Sequence, residues 1–250
     1  MVYTHDVKKA AEILSGSRFA IALTGAGISA DSGIPTFRGR DGLWQGYRPE
    51  DLATPEAFRR DPVKVWRWYL WRLELISSAK PNDGHKALAA LEKLGVLKCV
   101  VTQNVDCLHQ LAGSRCVIEL HGNIRRARCD NCGYKDDVSR ILGDIPPHCP
   151  RCNHIMRPDV VWFGELIPDD IWEKTVELFT RSDVVLVVGT SSTVMPAAML
   201  PVMSKEKGAR IIEVNVESSA LTYITDIFIR GRASVVLPAI LREVENMIRR

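Results

Sequence analysis

The chain has no apolar run long enough to cross a bilayer, no signal-peptide pattern, no internal repeat and no low-complexity tract. Those absences argue against a membrane span, a repeat solenoid and a disordered linker, and they lead to the expectation of a cytoplasmic protein. An excess of one charge sign is lacking too. The formal net charge is +3 and the lysines and arginines are spread along the sequence, so no direct nucleic-acid binding and no membrane surface is implied. What is present is a globular composition: 250 residues, 46% hydrophobic and 25% charged, enough to bury one large core with a smaller unit beside it.

Four of the seven cysteines form two C-x2-C pairs, Cys129/Cys132 and Cys149/Cys152, sixteen residues apart. Each short turn can present two sulfurs to one ion, and four thiolates leave no open position for a water, so the expected metal is one structural Zn2+ per chain. The alternative is two disulfides or unligated thiols. His148 and His154 flank the second pair and rank below the cysteines as ligands. Cys99, Cys107 and Cys116 fall outside this spacing and are expected to be small buried hydrophobes.

Short uninterrupted apolar runs recur at Phe19 to Leu23, Cys99 to Val101, Val184 to Val188 and Ile211 to Val214, as suits strands buried on both faces. Helical patterns separate them: Pro62 to Ala79, His85 to Leu94, Asp169 to Phe179, and a closing helix that Pro238 could start. This alternation predicts an α/β fold with a doubly wound, parallel Rossmann-type sheet and a smaller inserted lobe. Residues 1–37, 85–123 and 159–250 are assigned to the sheet domain. A helical insertion over 38–84 and the cysteine module over 124–158 make the small lobe.

The first strand runs into Thr24-Gly25-Ala26-Gly27-Ile28-Ser29-Ala30, where Gly25 and Gly27 would let backbone N–H groups approach a pyrophosphate at a helix N-terminus. A dehydrogenase would continue to a second strand ending in an acidic residue, and the Gly-rich, charged stretch that follows lacks that pattern. Polar clusters follow three further strands: Gln103, Asn104 and Asp106; Gly189, Thr190 and Ser191; Asn215 and Glu217. They would meet at the carboxyl ends of the sheet, where an open sheet binds its ligand. Helix capping alone is the competing explanation for each cluster.

In combination and order, TGAGISADSGIPTFRG from Thr24, TQNVDCLH from Thr102, HG at His121, the four cysteines, VVWFGE from Val160, GTSSTVMPA from Gly189 and VNVE from Val214 resemble the sirtuin family of NAD-dependent protein deacylases. The resemblance covers almost the whole chain. It implies NAD as co-substrate, an acylated-lysine protein or peptide in the cleft between the lobes, and transfer of the acyl group to ADP-ribose with release of nicotinamide. It gives His121 the part of general base toward a ribose hydroxyl, Asp106 the nicotinamide carboxamide, and Asn104 the ordering of ribose or water. It implies NAD contacts from Gly25, Ala26, Gly27, Ser29, Ala30, Thr36, Phe37, Arg38, Trp44, Gln103, Val105, Gly189, Thr190, Ser191, Asn215, Glu217 and Ala233, with Arg38 on the phosphates and Phe37 as a shield against water. Val161, Phe163, Gly164 and Glu165 would hold the peptide backbone.

Tyr69 and Arg72 stand at i and i+3 of one predicted helix and match the Tyr-x-x-Arg pair of the desuccinylase-type class. Ala53 matches the small residue that widens that class's acyl pocket. Read by spacing alone, the pair is better explained as a solvated arginine over a packed tyrosine, and it is the class match that reverses this. Met195 departs from the aromatic residue that many relatives carry, His109 reads as a structural histidine, and Cys107 has no assigned task. The alternative activity is mono-ADP-ribosyl transfer to protein from the same NAD cleavage. A zinc-containing oxidoreductase and a non-enzymatic zinc-ribbon module are the more distant readings.

Overall fold

A computed structural model describes residues 3–37, 42 and 48–249. Arg38 and Trp44 lie outside the described residues. The strands are β1 (Ala20–Thr24), β2 (Leu97–Thr102), β3 (Val117–Glu119), β4 (Gly122–Arg128), β5 (Lys135–Asp137), β6 (Arg157–Val160), β7 (Val184–Val188), β8 (Arg210–Asn215) and β9 (Ile227–Arg230). Six of them form one parallel sheet in the order β3-β2-β1-β7-β8-β9. The chain steps outward from β1 to β3, returns, and steps the other way from β7 to β9, so the strand order reverses between β1 and β7. That switch point opens a crevice at the carboxyl ends of the strands.

The helices are α1 (Tyr3–Ser15), α2 (Pro49–Leu52), α3 (Pro55–Arg60), α4 (Pro62–Ser78), α5 (Asp83–Lys93), α6 (Leu108–Leu111), α7 (Val138–Ile141), α8 (Asp169–Arg181), α9 (Leu200–Glu206) and α10 (Ala233–Ile248). Alternate residues of each central strand feed opposite layers, as the two-residue period of a strand requires. Ala20, Ala22, Val184, Leu186 and Val188 pack beneath α1, α5 and α10 with Leu14, Leu88, Leu91 and Ile240. Ile21, Leu23, Val185 and Val187 pack on the other face with Phe179 of α8 and Leu200 of α9.

The smaller lobe pairs β5-β4-β6 in an antiparallel sheet. Helix α4 braces it. Asp61 accepts from the Lys64 N–H at 2.9 Å and Pro62 fills the first helical position, so the start of α4 is written in the local sequence. Trp66 then donates its indole N–H to the Met156 carbonyl and packs against Cys129 and Cys149, while Trp68 and Tyr69 pack with Val160 and Trp162.

Three expectations change. Helix α10 begins at Ala233, with Pro238 inside it, because an apolar face of Val236, Leu237, Ile240 and Val244 packed on the sheet carries the helix through the proline. The edge strands β3 and β9 add to the four strands read from apolar runs. Cys99 and Cys116 are joined as a disulfide rather than lying as separate small hydrophobes: β2 and the residue preceding β3 are parallel neighbours, with the Cys116 carbonyl accepting the Val100 N–H, and this puts the two Cα atoms 4.8 Å apart.

Candidate active site

The Gly-rich turn after β1 packs directly on the turn after β7. Gly25 donates to the Val188 carbonyl and Gly27 to that of Gly189. A Cβ on Gly27 would lie 2.8 Å from the Gly189 Cα, and Gly189 itself sits at φ +58 with the Ile28 nitrogen 2.5 Å from where its Cβ would be. The glycines therefore serve close approach of two backbone turns. No α-helix follows: residues 26–28 and 30–32 make short 3-10 turns, in place of the helix N-terminus expected from the motif.

From β2, Gln103 donates its backbone N–H to the Thr24 carbonyl and its side-chain amide to Thr190 Oγ1 at 3.1 Å. Asn215, at the end of β8, donates to the Thr190 carbonyl at 2.9 Å. The polar groups after β1, β2, β7 and β8 thus converge through named bonds. Asn104 donates to the Gly25 carbonyl at 3.1 Å and to Ser29 Oγ at 3.2 Å, and Ser29 donates to Asp106 Oδ2 at 2.7 Å. Asp106 also accepts the Leu108 N–H. Burial pushes the Asp106 carboxyl pKa up, against these two bonds and the Arg72 charge, which pull it down. Glu217 is exposed beyond β8, and Ala233 is buried at the start of α10 beside Gly84.

His121 stands between the lobes, at the end of the segment that leaves β3. Its Nδ1 is 3.2 Å from the Gln103 carbonyl, an arrangement in which Nδ1–H donates and Nε2 of the neutral ring is left unprotonated. Burial holds its pKa below the usual 6.5, and the Gln103 bond opposes that shift, so the imidazole is neutral at physiological pH. The His121 carbonyl accepts the Val161 N–H, and Phe163 N–H donates to the Ala53 carbonyl. The 161–165 segment is in this way tied to His121 on one side and to the helical insertion on the other.

A buried layer lies beneath these groups. Thr24 Oγ1 is 2.9 Å from both Thr102 Oγ1 and His109 Nε2, and His85 Nε2 is 3.4 Å from Ser29 Oγ, with the two imidazole rings edge-to-face at 4.9 Å. Burial drops the His85 pKa to about 4 and that of His109 to about 3. His109 is structural, as expected. His85 was missed; its sequence signal was a histidine on the apolar face of α5. Cys107, at φ +65, caps α6 and accepts a bond from Asn123, so its place is a backbone corner.

Of the residues expected to form an acyl pocket, Ala53 and Tyr69 share one apolar cluster with Trp68, Val160 and Trp162, and Arg72 lies against it. Arg72 is 6% exposed, with its guanidinium carbon 4.8 Å from the Trp68 ring, 5.2 Å from Phe37 and 5.8 Å from Tyr69. Among the described residues it has no ion-pair partner. Tyr69 accepts the Trp162 indole N–H at 2.9 Å, which leaves its O–H free to donate. Ala53 is buried in the same cluster.

The sulfurs of Cys129, Cys132, Cys149 and Cys152 all lie within 4.8 Å of one another, with two pairs at 3.5 Å. Zinc–sulfur bonds of about 2.3 Å in a tetrahedron put sulfurs roughly 3.8 Å apart, so the cluster fits a structural Zn2+ with all four positions filled by thiolate. Each knuckle closes on a residue in the left-handed region, Gly133 and Asn153.

A model of the Sir2 family matches residues 25–196. The chain belongs to the Sir2 family. It is 56% identical over 239 residues to NAD-dependent protein deacylase 2 of Pyrobaculum aerophilum, covering 96% of both chains. A Sir2 homologue solved in complex with NAD superimposes with a TM-score of 0.91 at 49% identity, over 96% of this chain and 94% of that one. A Sir2 protein bound to a myristoylated histone peptide matches with a TM-score of 0.81 at 36% identity, over 98% of each chain. Among the described residues, no helix is long and apolar enough to cross a membrane.

Proposed function

We propose that this chain is an NAD-dependent protein-lysine deacylase that removes acetyl groups and also succinyl and malonyl groups from lysine side chains, releasing nicotinamide and O-acyl-ADP-ribose. Family membership and the name of the Pyrobaculum relative support the deacylase. The dicarboxylic preference rests on one observation: a guanidinium buried among three aromatic rings, with no ion-pair partner among the described residues, next to a tyrosine hydroxyl free to donate. A fork of that kind reads a carboxylate through two parallel bonds.

NAD supplies an activated ribose carbon that the acyl oxygen attacks. The protein's part is to hold and to move protons. Gly25, Ala26, Gly27, Ser29, Ala30, Thr36, Phe37, Gly189, Thr190, Ser191, Asn215, Glu217 and Ala233 line the cofactor crevice. Arg38 and Trp44 are assigned to it from the sequence alone. Asp106 and Asn104 orient the reacting end, with Gln103 and Val105 beside them. His121 Nε2, neutral because burial depresses its pKa, takes the proton of a ribose hydroxyl. Residues 161–165 pair with the acyl-lysine peptide. Zinc holds the small lobe through its four thiolates and takes no part in the chemistry.

The test is one peptide carrying acetyl-lysine or succinyl-lysine, incubated with NAD, with nicotinamide and acyl-ADP-ribose followed by mass spectrometry. Product from both, with succinyl favoured, is expected. Acetyl turnover alone would remove the carboxylate pocket. Nicotinamide release without acyl-ADP-ribose would turn the reading toward ADP-ribosyl transfer.

A further inference from the structure

Arg157 opens β6 in the small lobe, yet its side chain is only 4% exposed. The guanidinium forks onto Glu165, with one N–H donated to each carboxylate oxygen at 2.5 and 2.8 Å. A further donor reaches the Val160 carbonyl at 3.0 Å, and the guanidinium carbon lies 3.3 Å from the centre of the Trp162 ring. Glu165 in turn accepts the Trp162 backbone N–H at 2.8 Å, while the Glu165 N–H closes the turn on the Trp162 carbonyl. Both carboxylate oxygens of Glu165 are therefore engaged inside the protein.

The consequence concerns what the turn carries. Trp162, clamped by Arg157, donates its indole N–H to Tyr69 in the acyl pocket. Its neighbours Val161 and Phe163 bond the His121 and Ala53 carbonyls. One buried fork thus sets where a strand, a pocket tyrosine and the exposed Phe163 stand relative to the base. Asp130, between two of the zinc-ligand cysteines, lies 3.5 Å from the same guanidinium and joins the clamp to the first knuckle.

We propose that Arg157, acting through Glu165 and Trp162, is the positioning residue of the peptide-binding segment: it presets residues 161–165 for the acyl-lysine substrate and takes no part in binding NAD. The inference rests on reading 161–165 as the peptide segment. A bidentate guanidinium fixes a carboxylate in orientation as well as distance, which an ammonium cannot do, so lysine is not an equivalent replacement. A preset segment lowers the ordering cost of substrate binding, and its loss falls on KM for the peptide rather than on the chemical step.

The experiment compares Arg157→Met, Arg157→Lys and Phe163→Ala with the wild type by steady-state kinetics in both substrates, zinc content and thermal melting. For Arg157→Met the peptide KM should rise about tenfold or more while kcat and the NAD KM stay within about twofold and zinc remains at one per chain. Arg157→Lys should fall between. In Arg157→Met the Glu165 carboxylate keeps only Arg128, 3.7 Å away, as an ion-pair partner among the described residues; the double variant Arg157→Met/Glu165→Gln removes that carboxylate charge, and it carries the same test if Arg157→Met does not fold. An unchanged peptide KM in Arg157→Met, with Phe163→Ala raising it, overturns the proposal and leaves the segment's role standing. No effect from Phe163→Ala either would remove the segment from peptide binding. Equal losses for peptide and NAD would make Arg157 a general structural residue and overturn the proposal.

Discussion

Replacing Arg72 by methionine keeps much of the side-chain volume and removes a buried charge. The guanidinium stacks within 6 Å of three aromatic rings, and burial pushes its pKa down, opposed by Tyr69 and Asp106. A succinyl carboxylate arriving there would make two charge-assisted bonds with Arg72 and a third with Tyr69. Each such bond contributes about 1.5–3 kcal/mol, and truncating one member of a buried charge pair costs about 2–5 kcal/mol. A loss of about 2–4 kcal/mol in transition-state binding predicts a fall of roughly 30- to 1,000-fold in kcat/KM for succinyl-lysine peptide. Acetyl-lysine, which offers no carboxylate, should stay within about threefold. Because Arg72 also draws the Asp106 pKa down, its removal raises that pKa further and weakens both activities toward acid. The comparison therefore belongs on the plateau above the acid limb of each variant's pH profile, with the KM for NAD as the control on Asp106. Equal losses for the two acyl groups, or an acetyl loss with succinyl spared, would refute carboxylate reading by Arg72.

His121→Ala should abolish acyl-ADP-ribose formation while zinc content and melting temperature hold; and since burial depresses the His121 pKa, the acid limb of kcat/KM in the wild type should fall below pH 6.5. Retained turnover would remove His121 from its role. His85 and His109 are held neutral in the fold, with pKa values near 4 and 3 against 6.5 when unfolded. Below pH 6.5 the unfolded chain binds more protons than the folded one, so their stabilisation is complete above that pH and is lost as pH falls toward 4 and 3, at about 1.4 kcal/mol per unit for each histidine. Urea unfolding at pH 7 and pH 5 should differ by about 2–4 kcal/mol, and identical midpoints would contradict the buried pair. Reducing Cys99–Cys116, which closes a 17-residue separation, should cost about 3 kcal/mol and lower the melting temperature by about 6–12 °C. Alkylation of both thiols without a reductant would show that the bond is absent.

Much of this was legible in the residues because the signals were local. Cysteine spacing marked the metal module, Asp61-Pro62 marked the start of α4, and the apolar runs at Val184 to Val188 and Ile211 to Val214 marked buried strands. The short edge strands β3 and β9 were not legible: strands of three and four residues are defined by the neighbour they pair with more than by their own composition. For the same reason Pro238 misled, since packing on the sheet outweighs the lost hydrogen bond.

By itself the sequence determined the class of fold, the cysteine module and which residue types could serve NAD and an acyl-lysine, because strand burial, metal spacing and strand-end polarity are written within a few residues of one another. Only the tertiary structure decided that Gly25 and Gly27 serve close packing against Gly189, that Cys99 and Cys116 are bonded, that Arg72 lies against three aromatic rings without an ion pair to a described carboxylate, and that Arg157 clamps Glu165. The first two join segments distant in the chain or lying on different strands, and the last two depend on which way a side chain turns once its helix or strand is packed, which a chain read one residue after another does not encode.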